Sequence, residues 1–486
     1  MAMPLAQRPT YQRHRPEQTL LYQLVEQYYP AFIAALASAG RTLPRYVEQE
    51  FEEFLKCGRL EYGFLRVRCS DCHAEKLVAF SCKRRGFCPS CGARRMVENA
   101  ALLVDEVLPD VPIRQWVLSV PFPLRFLFAT HPAAMGAALS VVYRCIAAML
   151  RRKAGLSKAQ GHCGAVTLIQ RFGSALNLNV HFHMRVPDGV YVEGDSGLRF
   201  HPVAAPTSQE LQRLVSQISE RIGRQLERHG LLVRDSQSCH LGLESDSDDA
   251  LSDLQGHSIS YRIALGPQRG RKAFQLQTLA PRSEDGSECV AQASGFSLHA
   301  GVASGVGQRE RLERICRYVS RSAVAHERLS LTPAGQVRYA LKSAYRDGTT
   351  HVIFEPLDFL ARLAALVPKP RVNLTRFHGV FAPHHRLRSQ IVPGRGEEGG
   401  QFVPGESGAG GNRAARMGWA QRLKRVFGID VEHCERCGGS LKIIASIEDP
   451  SLIEKILQHL QERGEYLAAP PRGPSPSLLQ GIDTAF

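Results

Sequence analysis

The stretch Leu178–Tyr191 has the sequence LNVHFHMRVPDGVY, which is rich in apolar and β-branched residues and ends at a Pro-Asp-Gly turn signal. This composition predicts a β-strand that closes in a turn. Residues two apart on a strand project from the same face, so His181 and His183 are expected to point the same way. Two neutral imidazoles on one face can bind a divalent metal ion, although the same pattern also fits a strand with two ordinary histidines.

The composition of the 486-residue chain is that of a globular protein, with 44% hydrophobic and 22% charged residues. This length is enough for roughly two to four domains. No uninterrupted apolar run approaches the roughly 18 residues of a membrane span, and residues 1–15 lack the apolar stretch of a secretory signal. We therefore expect a cytoplasmic protein without a membrane partner.

The net charge of +15 indicates a polyanionic partner. Lys and Arg side chains that neutralise phosphates release counterions, and this release favours binding to nucleic acid. The 13 cysteines of a cytoplasmic chain indicate metal sites and free thiols rather than disulfides.

Cysteines are concentrated in residues 57–96, where two Cys-x2-Cys pairs, Cys69/Cys72 and Cys88/Cys91, are separated by fifteen residues. This spacing predicts a four-thiolate structural zinc site, with buried free thiols as the alternative. Cys57, Cys82 and His73 are spare donors that could replace one ligand or form a second site. Basic side chains crowd the same module and predict that it faces DNA; they are Lys83, Arg84, Arg85, Arg94 and Arg95.

A second cysteine element, Cys434-x2-Cys437 beside His433, is half of such a site. It is expected either to pair in space with spare donors elsewhere or to bind nothing.

The apolar periodicity predicts an α+β fold: an antiparallel sheet with helices on one side, plus the small N-terminal zinc-binding module. We expect six segments: helices at 1–56, the zinc module at 57–96, a catalytic domain at 97–390 with a solvated acidic insertion at about 235–258, a linker at 391–416, a small C-terminal element at 417–470 and a disordered tail at 471–486.

Tyr318 lies within a predicted helix, Arg309–Leu331, between Arg317 and Arg321. A lone tyrosine in a helix is often a packing residue. Neighbouring cations, however, stabilise the phenolate form of a tyrosine and attract the DNA phosphate that this phenolate would attack. A tyrosine, a histidine pair that binds metal and a strong positive charge together suit cleavage of a DNA phosphodiester through a covalent 5′-phosphotyrosine.

The chain resembles the rolling-circle, His-hydrophobe-His (HUH) transposases of bacterial insertion sequences, namely the IS91 family and its common-region (ISCR) relatives. The resemblance spans nearly the whole chain and is carried by motifs in the family's order: Phe80–Cys91, Asn179–His183, Asp188–Val190, Arg317–Arg321, Tyr345–Gly348 and His378–Val380. It implies an HUH endonuclease-like catalytic domain that uses Mg²⁺ or Mn²⁺ and acts on single-stranded DNA at element ends, as a nucleoid-associated protein of the bacterial cytoplasm.

The resemblance also implies roles for particular residues: Tyr318 as nucleophile and His181 and His183 as metal ligands. Two-tyrosine members carry a second tyrosine one helical turn before the first, where this chain has Arg314, so it resembles the single-tyrosine type. The tyrosine is then either reused or supplied again by a second protomer of a homodimer. The third metal ligand stays open among Gln170, Asp188 and His326, and Lys342 is either a phosphate contact or a surface lysine.

Three rival functions remain. A zinc-dependent DNA-binding regulator needs the cysteines but neither the histidines nor Tyr318. An HUH replication initiator or relaxase shares the nicking chemistry. A metal-dependent hydrolase would need carboxylates at fixed positions in the site, and the acidic insertion does not provide them.

Overall fold

The N-terminal part of the chain joins two helices to a cysteine-bearing hairpin. A computed structural model describes residues 15–195, 197–234, 239–242, 249–281, 289–392, 426 and 431–463. After a short 3-10 helix (Pro16–Gln18) its first elements are α1 (Leu20–Ser38), α2 (Arg45–Lys56), a 3-10 helix (Leu60–Tyr62), β1 (Phe64–Cys69), β2 (Glu75–Ala79) and α3 (Pro89–Glu106). Phe51 and Phe54 of α2 pack on Phe87, with ring centroids 4.8 and 5.2 Å apart. The start of α3 is thereby fixed to the helical region.

The central region alternates strands and helices. In chain order its elements are β3 (Ile113–Ser119), α4 (Phe122–Thr130), α5 (Pro132–Lys153), β4 (Gly161–His162), β5 (Gly164–Phe172), β6 (Leu178–Pro187), β7 (Gly189–Gly194), β8 (Gly197–Pro202), α6 (Ser208–Arg228), β9 (Leu232–Arg234), β10 (Cys239–Leu241), α7 (Ala250–Ile259), β11 (Phe274–Gln277), β12 (Val290–Ala293), β13 (Phe296–Ser304), α8 (Arg309–Val319), a 3-10 helix (His326–Arg328), β14 (Leu329–Leu331), β15 (Val337–Ala340), β16 (Thr349–Phe354), α9 (Pro356–Leu366), β17 (Thr375–Gly379) and α10 (Arg388–Ile391).

The largest sheet has six strands in the order β12-β13-β3-β6-β5-β17, and every neighbouring pair is antiparallel. The predicted α+β class with antiparallel sheets is therefore confirmed. The expectation of helices on one side is wrong. One face packs on α4, α5 and α6, whereas the other packs on α3 and α8. Strands β5 and β6 are buried on both faces but contain polar as well as apolar residues. Their sequence therefore does not indicate that a second layer of helices covers them.

Helix α5 has the length and apolar composition of a membrane span. Its side chains Met135, Leu139, Val142 and Ile146 are instead buried in the core against the central sheet. This burial is that of a core helix.

Two strand-like stretches on either side of the turn signal Arg346-Asp347-Gly348 predict a hairpin at residues 336–355, and β15 and β16 form it as an antiparallel pair. Gly348 has a φ of +87°, and a Cβ atom there would lie 1.9 Å from the carbonyl oxygen of Leu279. No other residue type fits at this position without moving the backbone.

The acidic stretch at 235–258 is only partly the solvated insertion that we expected. Residues 235–238 and 243–248 lie outside the described residues. Asp249 instead caps α7, accepting from the backbone N–H of Leu251 at 3.0 Å, and Leu251 and Leu254 are buried. Asp253 pairs with Arg41 at 2.7 Å, so this carboxylate serves tertiary packing.

The C-terminal element contains β18 (Leu441–Ile447) and α11 (Pro450–Glu462). Strand β18 pairs antiparallel with β1 in a three-stranded sheet of order β18-β1-β2. The C-terminal element, predicted as a separate segment, therefore packs against the N-terminal zinc module. The predicted linker falls almost entirely on residues 393–425, and the predicted tail falls on 471–486; both lie outside the described residues.

Candidate active site

Strand β6 places His181 and His183 on one face of the central sheet, as the sequence predicts. Phe182 and Met184 point to the opposite face and are fully buried in the core there. The centroids of the two imidazole rings are 4.9 Å apart. Nδ1 of His181 lies 2.8 Å from the carbonyl oxygen of Asn179. Because a carbonyl oxygen can only accept, Nδ1 carries the proton and the lone pair of Nε2 is left to bind a metal ion.

Gln170 lies beside the histidine pair on the neighbouring strand β5, directly opposite His181. Its Oε1 atom accepts a hydrogen bond from Nε2–H of His183 at 3.0 Å, so a metal ion between these two atoms would replace that proton. Two atoms bound at right angles to one Mg²⁺ at about 2.1 Å are separated by roughly 3.0 Å, so this spacing fits a shared ion. Of the three candidates for the third ligand, the structure brings Gln170 to the histidine pair.

The other two candidates lie elsewhere. Both carboxylate oxygens of Asp188 accept from the guanidinium of Arg114, at 2.9 and 2.8 Å. His326 lines a small cavity with Cys57 and Cys88, and not the face of the sheet with the histidines. Neither residue is placed to complete the predicted metal site.

His326 lies away from the face of Tyr318 because the helix that contains Tyr318 ends earlier than expected. The tyrosine helix was expected to continue to Leu331, which would put His326 on the face of Tyr318. Helix α8 instead ends at Val319, and Ser322 packs against Gly92 of α3, where a Cβ atom would lie 2.7 Å from the Ser322 Cβ. This tertiary contact overrides the helical periodicity of the sequence.

Removal of the Asp188 carboxylate is expected to affect stability. The side chains of Asp188 and Arg114 are each 11% exposed, and losing one partner leaves the other charge buried and unpaired. Asp188→Ala should lower the free energy of unfolding by about 3–5 kcal/mol, measured by urea denaturation. The exposed Asp195→Ala is the matched control and should leave it unchanged. If Asp188→Ala is as stable as the wild type but no longer binds a divalent metal ion, Asp188 is a metal ligand after all.

Both histidines are held neutral. Burial lowers the pKa of His181 to about 4, with the charges of Arg125 and Arg321 acting in the same direction and the Asn179 carbonyl acting against them. Burial, and then the neighbouring His181, lower the pKa of His183 to about 2. Neutral imidazole is the form that binds a metal ion, so the pair is in its ligand form throughout the physiological pH range.

Tyr318 lies on α8, which packs on the same face of the sheet as the histidines. The guanidinium of Arg185, in β6, donates to the carbonyl of Ile315 in this helix at 2.9 Å. The Tyr318 side chain is 44% exposed, and its ring centroid lies 3.9 Å from Nζ of Lys342 and 4.6 Å from the guanidinium carbon of Arg321. Arg321 also lowers the pKa of both histidines, so its charge acts on the histidine pair as well as on the tyrosine.

The electrostatic environment of Tyr318 favours its phenolate. Partial burial raises the pKa of the phenol, but the charge of Arg321 and the hydrogen bond and charge of Lys342 outweigh this effect, and the net pKa lies below the usual 10.0. A lower pKa increases the fraction of the nucleophilic form at neutral pH.

A basic cleft of about 100 Å³ opens between β5, α3 and the segment after α8. Four arginines line it: Arg85, Arg95, Arg171 and Arg321. Among the described residues, Nη2 of Arg171, Nε of Arg321 and Nε2 of Gln170 are buried there without a hydrogen-bond partner. Buried donors without partners are costly, and an anion in the cleft would satisfy them.

Five of the six predicted DNA-binding arginines divide into two groups. Arg85, Arg95 and Arg321 line the cleft. Arg94 and Arg317 instead pair with Glu98 and Glu313 of their own helices, at 2.9 and 4.0 Å. The Arg84 carbonyl accepts from Arg95 at 2.8 Å. Arg171, which the sequence analysis missed, immediately follows Gln170 and is buried; this burial lowers its pKa to about 10.

The cysteines form two clusters rather than the single predicted site. Within each cluster the four sulfur atoms lie within 4.8 Å of one another: Cys57, Cys82, Cys88 and Cys91 in cluster 1, and Cys69, Cys72, Cys434 and Cys437 in cluster 2. The predicted grouping of Cys69 and Cys72 with Cys88 and Cys91 is therefore wrong. Sequence spacing suggested it because the partners of Cys69 and Cys72 lie more than 360 residues away, and because the partners of Cys88 and Cys91, namely Cys57 and Cys82, do not form a Cys-x2-Cys pair.

Cluster 1 is part of a larger core. Cys57, Cys88 and Cys91 are buried together with Phe51 and Phe87. The zinc module is thus packed against α1 and α2 and is not an independent ribbon.

Two family models match the chain. Residues 24–120 match a family described as "Transposase zinc-binding domain" (Zn_Tnp_IS91), and residues 164–389 match one described as "Putative transposase" (Y2_Tnp). The first match contains cluster 1, and the second contains the histidine pair and Tyr318. No curated protein and no solved structure matches the chain.

Proposed function

The chain belongs to the IS91-type transposases, and from this premise we propose that it nicks single-stranded DNA at element ends with Tyr318 and rejoins that DNA to a target, in rolling-circle transposition. The observation that carries this proposal is the arrangement on one face of the central sheet: a neutral histidine pair with Gln170, the helix of Tyr318 packed on the same face, and Arg321 beside the Tyr318 ring with its charge acting on the histidines as well. DNA is the partner that a transposase requires, and the charge of +15 suits it.

His181, His183 and Gln170 would hold the catalytic Mg²⁺ or Mn²⁺ of this HUH-type site. Two imidazole nitrogens and an amide oxygen, with Oε1 and Nε2 at 3.0 Å, suit such an ion. When bound, the ion supplies Lewis-acid polarisation of the scissile phosphate. Zinc is structural and belongs to the cysteines.

Tyr318 supplies the nucleophile. Its phenolate oxygen attacks the phosphorus, the bond between phosphorus and the 3′ oxygen breaks, and the 3′ oxygen leaves with a proton as a hydroxyl. The product is a tyrosyl ester of the 5′-phosphate. A 3′-hydroxyl of another DNA end then attacks this ester, releases Tyr318 and reseals the strand without an external energy source.

A single nucleophile limits how the two cuts of transposition are made. The position four residues before Tyr318 is the exposed Arg314, and the position four residues after it is Ser322. Neither position supplies a second tyrosine. Either Tyr318 is used twice or a second protomer supplies its own tyrosine. Arg85, Arg95, Arg171 and Arg321 in the cleft would hold the backbone of the strand, and the same charge supports association with the nucleoid.

The cations around Tyr318 predict the pH dependence of the nicking rate. Because Arg321 and Lys342 stabilise the phenolate, the rate should rise with pH around a midpoint below 10.0. Lys342→Met and Arg321→Met each remove a cation, raise the pKa of the phenol and should shift the midpoint to higher pH. Lys342→Arg keeps the charge and is the control. Variants that slow the reaction with no shift of the midpoint would contradict this role.

The proposal is tested with the full-length protein and a labelled single-stranded oligonucleotide from the cognate element end. With Mg²⁺ or Mn²⁺ we expect a slowly migrating protein–DNA adduct and a free 3′-hydroxyl product; with a chelator selective for these ions we expect neither. Specific binding without an adduct for any element end would favour a non-catalytic zinc-dependent DNA-binding protein. Adduct formation without transfer to a target strand would favour a replication initiator or relaxase.

A further inference from the structure

Cluster 2 joins the two ends of the described chain. Sγ of Cys69 lies 3.4 Å from Sγ of Cys437, and Sγ of Cys72 lies 3.6 Å from Sγ of Cys434. The two cysteines of each of these contacts are 368 and 362 residues apart along the chain. Cys434 and Cys437 lie beyond both family matches, which end at residues 120 and 389.

The geometry of cluster 2 is that of a metal site. Thiolates bound tetrahedrally to Zn²⁺ at about 2.3 Å are separated by roughly 3.8 Å, close to the observed sulfur–sulfur distances. Disulfide-bonded sulfurs would be about 2.05 Å apart. Four thiols without a cation gain little from such proximity, since their sulfurs are weak donors and weak acceptors.

The two Cys-x2-Cys loops of cluster 2 are built as facing turns. His73 and Gly438 directly follow the second cysteine of their loops, and both have positive φ, 57° and 77°. The loops are in direct contact: the backbone N–H of Ser70 donates to the carbonyl of Ser440 at 2.9 Å. A Cβ atom on Gly439 would lie 2.5 Å from a carboxylate oxygen of Asp71. This close approach of two backbones presents two sulfurs from each side to one point.

The apolar core around cluster 2 is too small to hold the C-terminal element alone. Five residues are buried in it: Leu60, Phe64, Ile447, Ile453 and Leu457. Ile443 and Ile444 of β18 are 65% and 47% exposed. Small units with so little core usually depend on metals or disulfides for their stability.

We propose that Cys69, Cys72, Cys434 and Cys437 bind a second Zn²⁺, separate from the zinc of cluster 1, and that this ion fastens the C-terminal element to the N-terminal module. The ion fixes the register of β18 against β1, because Cys69 is the last residue of β1 and pairs with Leu441. The C-terminal element is then held next to the N-terminal zinc module.

Metal analysis of the full-length protein tests this proposal. We expect two zinc ions per chain in the wild type and one in the variant with both Cys434→Ser and Cys437→Ser. Cys289→Ser, a half-buried cysteine outside both clusters, is the control and should retain two. A wild-type content of one zinc that is unchanged in the double variant would overturn the proposal, as would iron in place of zinc.

Hydrogen exchange provides a second measurement that does not depend on metal content. In the double variant, the amides of β18 and α11 should lose protection, whereas those of α1–α3 and β6 should keep theirs. Unchanged protection of β18 would show that packing alone holds the element and would overturn the fastening role. Loss of protection throughout the chain would also overturn it, because the ion would then support the whole fold.

Discussion

Tyr318→Phe is expected to form no covalent DNA adduct and to reduce nicking by at least about 10³-fold, because the ring that remains has no oxygen to attack the phosphorus. DNA affinity should change little. The Phe ring keeps its position 3.9 Å from Lys342 and 4.6 Å from Arg321, and the cations of the cleft are untouched. Adduct yield on denaturing gels and affinity for the same oligonucleotide are the two measurements.

The matched control for this variant is Tyr62→Phe. Tyr62 is also exposed, at 50%, and packs against Arg59 in the N-terminal module. It should retain wild-type adduct yield. An adduct of normal yield in Tyr318→Phe would assign the nucleophile to another residue.

The second large effect is expected from the histidine pair. The variant with His181→Ala and His183→Ala removes the two ligands that we propose for the catalytic Mg²⁺ or Mn²⁺, an ion that would supply several kcal/mol of transition-state stabilisation. At about 1.4 kcal/mol per factor of ten, nicking should fall by at least about 10³-fold. Titration with Mn²⁺ should show loss of the divalent site, while the zinc content stays at the wild-type value.

His229→Ala controls for the loss of a histidine as such, since His229 is exposed at the end of α6. The nicking rate of the variant with both His181→Ala and His183→Ala, measured at saturating Mn²⁺, distinguishes a metal-binding pair from two ordinary strand histidines. If it cleaves as fast as the wild type there, the histidines are ordinary strand residues and the metal lies elsewhere.

Local sequence patterns predicted the parts of the site that lie within one element. The β-branched, apolar character of Leu178–Pro187 predicted β6 and the common face of His181 and His183. The turn at Arg346–Gly348 predicted the β15–β16 hairpin. In each case the side-chain period of the segment and one turn signal were sufficient.

Contacts between distant segments could not be predicted in this way. From the sequence alone, Asp188 was a plausible metal ligand. In the structure its carboxylate pairs with Arg114, which is 74 residues away along the chain. Helix α8 was expected to extend past Val319 because nothing in its sequence reports the contact of Ser322 with Gly92. The same limit applies to the cysteines: two Cys-x2-Cys pairs at ribbon spacing predicted one site, and only the pairing of β18 with β1 separates them into two.

The most direct test of the central claim is to identify the residue that carries the DNA. The wild-type protein is allowed to react with the element-end oligonucleotide and Mn²⁺, the adduct is digested with trypsin and nuclease, and the modified peptide is sequenced by mass spectrometry. We predict a single phosphate-linked residue, Tyr318, joined to the 5′-phosphate of the DNA fragment that lies 3′ of the cut. A 5′-phosphate linked to any other tyrosine, or cleavage that leaves no protein on the DNA, would contradict the proposed function.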